Sequence, residues 1–181
     1  MPMWNGASTE MSNSLLKVVC DAGPIIHLDE IDSLYLLKDF HEILISPAVK
    51  DEVQEKRPTL FAKSDLHFVE SSVAFPRNQT LIAMCRIFSL DAGEIEALAL
   101  MEREPEALFL TDDSAARLVA ERMGHRVHGT VGILVRSIRR KQLEPKEVLK
   151  ILESIPRKSS LFIKPSLLDE IKLKIKDEFH L

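Results

Sequence analysis

Two kinds of hydrophobic pattern alternate along the chain. Short apolar runs rich in valine, isoleucine, leucine and phenylalanine predict buried β-strands. These runs cover residues 15–20, 42–45, 66–69, 107–110 and 126–128. Longer segments with helical spacing and strong helix formers predict α-helices between and after the strands. The predicted helices follow Gly23-Pro24, include a short patch at 34–37, and cover residues 47–56, 79–88, 90–103, 112–123, 130–141, 145–155 and 165–176. This alternation predicts an α/β fold with a central, mainly parallel sheet and helices on both faces.

The pattern indicates one folded domain over residues 15–181. Residues 1–14 are small and polar and show no periodicity, so we interpret them as a flexible leader. A length of 181 residues suits a single domain with a sizeable core. The helices from about residue 144 onwards are expected to extend that same core.

Composition restricts the function classes. The net charge is −4, whereas a domain that only binds the phosphates of nucleic acid is expected to be basic. An enzyme whose carboxylates are neutralised by bound cations fits this negative charge. Aromatic residues make up only 6% of the chain, so the composition does not indicate a surface on which bases stack. Cys20 and Cys85 show no zinc spacing and indicate buried thiols in a reducing cytoplasm. No apolar run approaches the ~18 residues of a membrane span, so we expect a cytoplasmic protein.

Acidic residues follow the predicted strands or lie on the helices that come next. Asp21 directly follows the first strand, and Asp112 and Asp113 follow the fourth. Because the carboxyl ends of parallel strands share one edge, where ligands bind, we expect these residues to be neighbours. Glu52 and Glu94 lie at the inward margins of their helices, where an unpaired charge is costly.

Such a cluster of carboxylates predicts a divalent metal site. Like charges held together raise one another's pKa values, and a bound cation relieves the repulsion. Mg²⁺ or Mn²⁺ prefers oxygen ligands and accepts phosphate oxygens, which suits phosphodiester hydrolysis. Each acid also has a simpler explanation, because Asp21, Asp91 and Asp112 are suited to cap helices and Asp91-x-x-Glu94 has capping-box spacing. The metal site is favoured because all the acids fall on one predicted edge.

Four motifs of this chain resemble those of PIN domains, in the same order. Val-Val-Cys-Asp-Ala-Gly-Pro-Ile-Ile-His-Leu, around Asp21, resembles the opening strand of that family, and Leu90-Asp-Ala-Gly-Glu-Ile-Glu-Ala-Leu-Ala-Leu resembles its central helix. Leu110-Thr-Asp-Asp-Ser-Ala-Ala-Arg resembles the third motif. His128-Gly-Thr-Val-Gly-Ile-Leu resembles a segment of one prokaryotic branch, close to the toxin-like VapC nucleases. The resemblance implies a three-layer α/β/α fold, here with extra C-terminal helices.

The resemblance also implies an activity and a site. A PIN domain of this branch is a Mg²⁺- or Mn²⁺-dependent nuclease acting on RNA, with Asp21, Glu94 and one or both of Asp112 and Asp113 as metal ligands. Glu52 corresponds to a further acidic residue of many members, and we count it among the catalytic residues. The form Thr-x-Asp favours Asp113, whereas the first position after the strand favours Asp112. The branch further implies a homodimer, and the hypothesis of a toxin held silent by a small antitoxin protein.

Two other functions compete with the ribonuclease. A catalytically weak PIN-fold module would bind nucleic acid or another protein without cleavage. A phosphoacceptor or phosphatase domain needs an acidic pair at the first strand, which Asp21-Ala-Gly-Pro lacks. The basic residues of segment 117–141 form either a groove wall for RNA or a solvated helix face. His27 is a candidate for supporting Asp21, and Thr111 or Thr130 for binding a phosphate.

Overall fold

The structure is a computed structural model that describes residues 16–73 and 75–181, so the predicted leader at 1–14 lies outside the described residues. Within those residues the strands form one five-stranded sheet in the order β3-β2-β1-β4-β5. The strands are β1 (Lys17–Cys20), β2 (Glu42–Ile45), β3 (Phe68–Glu70), β4 (Leu108–Leu110) and β5 (Val127–His128). Every neighbouring pair is parallel, which confirms the predicted parallel sheet.

Helices connect the strands and follow the last one. They are α1 (Ala22–Glu30), α2 (Pro47–Lys56), α3 (Leu60–Lys63), α4 (Gln79–Ile87), α5 (Ala92–Arg103), α6 (Ser114–Arg122), α7 (Thr130–Arg139), α8 (Pro145–Lys158) and α9 (Pro165–Glu178), with a 3-10 helix at Leu34–Asp39. Among the described residues, no helix is both long enough and apolar enough to cross a bilayer.

The two faces of the sheet are each covered by helices. Successive strand residues point to opposite faces, as the pleat requires. Val18 and Cys20 of β1 belong to a core shared with α1, α2, α7, α8 and α9. Val19 of β1 and Phe109 of β4 belong to a second core shared with α4, α5 and α6. The predicted three-layer α/β/α architecture is therefore confirmed, and the C-terminal helices α8 and α9 contribute to the first core.

The direction in which the sheet grows reverses beside β1. The chain adds β2 and β3 on one side of β1, and then β4 and β5 on the other. Such a point leaves a crevice at the carboxyl ends of the strands, where parallel α/β sheets bind ligands. Cys20 lies opposite Leu110, and the Asp21 amide donates to the Leu110 carbonyl at 2.9 Å. Asp21 and Thr111 therefore leave adjacent strands side by side at this crevice.

Several helices differ from the prediction, most of them by one to three residues at an end. The helix expected to begin at Asp112 begins at Ser114, because Asp113 is its N-cap. Helix α3 was not predicted, since four residues are too few to show a helical period. Helix α8 continues beyond the predicted end at residue 155 and carries Pro156 near its C-terminus.

Candidate active site

Asp21 is a buried carboxylate at the crevice. Its side chain is 7% exposed; Oδ1 accepts a hydrogen bond from the Ala22 amide at 2.8 Å, and Oδ2 accepts one from the Thr111 hydroxyl at 3.0 Å. Burial raises the pKa of Asp21 to about 6. The two hydrogen bonds oppose that rise, whereas the negative charges of Glu52 and Asp91 add to it. Asp21 is thus held rigidly in a setting that disfavours its own charge.

Thr111 connects Asp21 to Asp113. The Thr111 side chain is fully buried; its hydroxyl donates to Asp21 and accepts from the Asp113 amide at 3.1 Å. Asp113 in turn caps α6, since its Oδ1 accepts from the amides of Ala115 at 2.7 Å and Ala116 at 2.8 Å. Oδ2 of Asp113 takes no part in these cap bonds. One buried hydroxyl therefore sets the relative position of two carboxylates from adjacent strands.

Glu94 lies in the first turn of α5, where it forms a capping box with Asp91. The Glu94 amide donates to Asp91 Oδ1 at 2.9 Å, and the Asp91 amide donates to Glu94 Oε2 at 2.8 Å, so the predicted cap is confirmed. The pKa of Glu94 is raised to about 7, chiefly by burial and also by the negative charges of Asp91, Asp113 and Asp21, against the opposing hydrogen bond from the Asp91 amide. Glu94 therefore lies close enough to Asp21 and Asp113 for the negative charge of each to act on its carboxyl group.

Glu52 reaches the same region from α2. Its Oε2 lies 3.9 Å from the position that a Cβ on Gly93 would occupy, which places it beside the first turn of α5. Its Oε1 accepts from the Lys56 ammonium at 2.7 Å. The charge of Asp21 contributes to raising the pKa of Lys56, after the larger effect of its hydrogen bond to Glu52. Lys56 is therefore a cation at the margin of the acidic group, one turn after Glu52, and it was not singled out from the sequence.

Asp112 has different surroundings from the other acids. Its Oδ1 accepts from the Thr130 amide at 2.8 Å, and its Oδ2 accepts from the Thr130 hydroxyl at 2.6 Å. The Nδ1 atom of His27 lies 2.8 Å from the same Oδ2. A Cβ on Gly129 would lie 2.5 Å from Asp112 Oδ1, so the glycine leaves room for this contact. The Gly-Thr pair thus serves to hold Asp112, and Thr130, expected as a phosphate ligand, is bonded to that carboxylate.

The predicted acids therefore fall into two groups. Asp21, Glu52, Glu94 and Asp113 share one electrostatic environment, whereas both oxygens of Asp112 are occupied by α7 and by His27. Across residues 16–73 and 75–181, no group of three or more histidine, cysteine or acidic side chains is already arranged to hold a metal ion.

The chemistry of the first group nevertheless suits a hard divalent cation. It offers carboxylate oxygens, the ligands that Mg²⁺ and Mn²⁺ prefer. The pKa values of Asp21 and Glu94 are raised by burial and by like charge, which a cation would offset. Metal binding would require Glu94 either to use Oε1 or to release the Asp91 amide from Oε2.

The basic residues of segment 117–141 mostly serve the fold. Arg136 and Arg140 pair with Asp39, and the Arg136 guanidinium lies 4.9 Å from the centroid of the Phe40 ring. Arg117 donates a hydrogen bond to a backbone carbonyl at 3.0 Å. These partners favour a structural role for these arginines over the groove wall for RNA, which was one of the two alternatives left open.

Comparison with known proteins identifies the family of this chain. A family model described as a PIN domain matches residues 17–177, which includes all five strands and nearly all of the helices. A search of curated proteins finds no match to the chain.

Proposed function

Because the chain belongs to the PIN-domain family, we propose that it is a metal-dependent endoribonuclease that hydrolyses RNA phosphodiester bonds. The family supports a nuclease in general terms. The observation that carries the finer proposal is the gathering of half-buried and buried carboxylates at the sheet crevice: burial, with the added negative charges of Asp113 and Asp21, raises the pKa of Glu94 to about 7. Buried carboxylates held together lower the stability of the folded chain. This arrangement is typical of a functional site, where a bound cation and a phosphodiester would offset the cost.

We assign separate roles to the five acids. Asp21, Glu94 and Asp113 would hold Mg²⁺ or Mn²⁺, because each lies in the shared electrostatic environment. Glu52 lies beside them and orients Lys56. Asp112 is a positioning residue in this proposal, because its oxygens are already occupied, and it fixes the loop that carries Asp113.

The chain's own residues bind and orient the reacting groups. The buried Thr111 hydroxyl holds Asp21 and the Asp113 amide in fixed positions, so the carboxylates do not have to be ordered when substrate arrives. The Lys56 ammonium supplies positive charge close to where a phosphate would lie. When bound, a divalent ion supplies charge neutralisation of the phosphate and activation of water for attack on phosphorus.

The test is cleavage of a labelled single-stranded RNA by purified protein, with Mn²⁺ or Mg²⁺ and with EDTA. We expect internal cleavage with metal, none with EDTA, and a loss of at least about 100-fold in Asp21→Asn and in Glu94→Gln. Glu170→Gln is the matched control, since Glu170 is on α9, where it pairs with Lys174. Cleavage that persists in Asp21→Asn or in EDTA would contradict the proposal.

A catalytically weak binding module is the second candidate. What favours it is that Asp91, Glu94 and Asp113 all accept capping hydrogen bonds, which explains their positions without a metal. This candidate predicts RNA binding without cleavage under every metal condition.

We further propose the biological setting that the branch resemblance implies. The protein would act in the cytoplasm as a homodimeric toxin silenced by a small antitoxin, and its free, buried Cys20 and Cys85 suit a reducing compartment. Induced expression should arrest growth, and Asp21→Asn should not. Equal growth of both strains would contradict the toxin role, and a monomeric mass in solution would contradict the dimer.

A further inference from the structure

A groove of about 530 Å³ lies beside the acidic site, between the 3-10 helix and the segment from the end of α2 through α3. Its size is within the range of small-ligand sites. The groove is lined by charged and hydroxyl side chains as well as by Leu34, Leu60 and Leu66. We call it the α2–α3 groove.

The α2–α3 groove is positive although the whole chain is negative. Its lining has four cations, Lys38, Lys56, Arg57 and Lys63, against the two carboxylates Asp29 and Asp65. The chain as a whole carries a net charge of −4. A surface where cations are concentrated, on a protein that is acidic as a whole, is typical of a binding site for a polyanion.

Two of these cations are available to a ligand. Lys63 is exposed and forms no ion pair with any of the described residues. Lys38 lies 3.5 Å from Asp65, whose side chain is 86% exposed, and exposed ion pairs of this kind are weak. A phosphate can therefore replace Asp65 at little cost.

Tyr35 adds an aromatic surface to the same groove. It lines the cavity and remains 47% exposed, whereas Leu36 and Leu37, which follow it on the 3-10 helix, are buried. An exposed ring beside cations suits a nucleic-acid base, which stacks on aromatic rings only when it is unpaired. The low aromatic content of the chain did not reveal this residue.

The groove is continuous with the acidic site through α2. Lys56 lines the groove and donates to Glu52, and Asp21 contributes to raising its pKa. Four residues separate Glu52 from Lys56, which corresponds to about one helical turn, or ~5.4 Å. A strand whose phosphate lies at the acids can therefore pass directly into the groove.

We propose that the α2–α3 groove binds the RNA strand next to the bond to be cleaved, with Lys38 and Lys63 on phosphates and Tyr35 stacked on one base. This inference rests on the proposed nuclease function for its position relative to the bond, although binding can be measured without cleavage.

The test is fluorescence anisotropy of a labelled 12-nucleotide single-stranded RNA with the full chain in EDTA, at several salt concentrations. The double variant Lys38→Ala/Lys63→Ala should reduce the slope of log affinity against log salt by about 1.4, because each phosphate contact on a single strand contributes about 0.7. Tyr35→Ala should weaken binding roughly 5- to 150-fold, the cost of losing one stacked base, whereas Tyr35→Phe should bind as the wild type does.

Matched controls separate the groove from general charge. Lys63→Glu should weaken binding, and Lys176→Glu, which makes the same charge change at an exposed position on α9 outside the groove, should not. Equal losses in Lys63→Glu and Lys176→Glu, or wild-type binding by Tyr35→Ala, would overturn the proposal. Thermal unfolding of each variant shows that it is folded.

The two proposals fail in different ways. Groove-dependent RNA binding without cleavage in Mn²⁺ would leave the groove assignment standing and reject the nuclease. Metal-dependent cleavage with an unchanged KM in Lys38→Ala/Lys63→Ala and in Tyr35→Ala would support the nuclease and reject the groove assignment.

Discussion

At the scale of single residues, the chain keeps a carboxylate where burial opposes its ionisation. Asp21 is 7% exposed, and burial raises its pKa to about 6. The hydrogen bonds from Ala22 and Thr111 offset only part of the cost. Residues that serve catalysis commonly reduce stability in this way, so Asp21 should be unfavourable for folding when no cation is bound.

This predicts how stability depends on pH. Between pH 4 and 6 the folded state holds a proton on Asp21 that the unfolded state has released, so the unfolding free energy should fall as pH rises through this window. Asp21→Asn, which resembles the neutral acid, lacks this contribution. In EDTA the variant should gain stability relative to the wild type, from nearly nothing at pH 4 to roughly 3 kcal/mol at pH 7.

Urea unfolding at four or five pH values measures the difference between the two proteins, which cancels the titration of the groups that the charge of Asp21 does not reach. Glu170→Gln is the control, because the Lys174 partner lowers rather than raises the pKa of Glu170. A difference between wild type and Asp21→Asn that does not change with pH would show that the pKa of Asp21 is not raised.

At the scale of secondary-structure elements, Asp113 has two roles that can be separated. It is the N-cap of α6, and we propose that it also holds the metal. Asparagine caps a helix about as well as aspartate, so Asp113→Asn should keep stability within about 0.5 kcal/mol, whereas Asp113→Ala should cost about 1 kcal/mol. Both variants should lose RNA cleavage if the charge is needed, as urea unfolding and the cleavage assay will show.

Helix α4 supplies the matched control for this experiment. Asn78 caps α4 as Asp113 caps α6, since its side chain accepts from the amides of Thr80 at 2.9 Å and Leu81 at 3.2 Å. Asn78→Ala should therefore cost a similar free energy and leave cleavage unchanged. Full cleavage by Asp113→Asn would show that Asp113 only caps the helix.

The elements also show what a sequence can predict. Strand β2 was predicted at 42–45 and is found there, and α2 begins at Pro47 because Ser46 caps it. These features depend on local patterns and local hydrogen bonds. Crowding of acids at one sheet edge was also predictable, because the alternation of strands and helices dictates a parallel sheet.

Contacts between distant residues could not be predicted. Nothing local to Asp112 shows that Thr130, eighteen residues later, occupies both of its oxygens. The sequence therefore left Asp112 and Asp113 equivalent, and the structure distinguishes their surroundings. The α2–α3 groove could not be predicted for the same reason. Tyr35 and Lys63 belong to different elements and line one groove only in the folded chain.

At the scale of the whole molecule, a bound cation would join parts of the chain that are distant in sequence. Asp21 follows β1, Glu94 lies in the first turn of α5 and Asp113 caps α6, so the charges that raise the pKa of Glu94 act between the sheet and the helices of one layer. A ligand that binds only the folded state stabilises it in proportion to the logarithm of its concentration. Metal affinity should therefore be measurable as thermal stability, independently of any substrate.

Mn²⁺ should raise the melting temperature of the wild type at pH 7.5. At a concentration about 100 times its Kd, the ion adds about 2.7 kcal/mol, which corresponds to a rise of roughly 5–11 °C for a domain of this size. Asp21→Asn should lose most of this rise because it lacks a ligand, although it is the more stable protein in EDTA because it no longer buries a charge. Glu170→Gln should respond as the wild type does. Added NaCl at equal ionic strength distinguishes binding at a metal site from charge screening. An equal rise in Asp21→Asn would place the Mn²⁺ elsewhere and remove the physical basis for a metal-dependent reaction at this crevice.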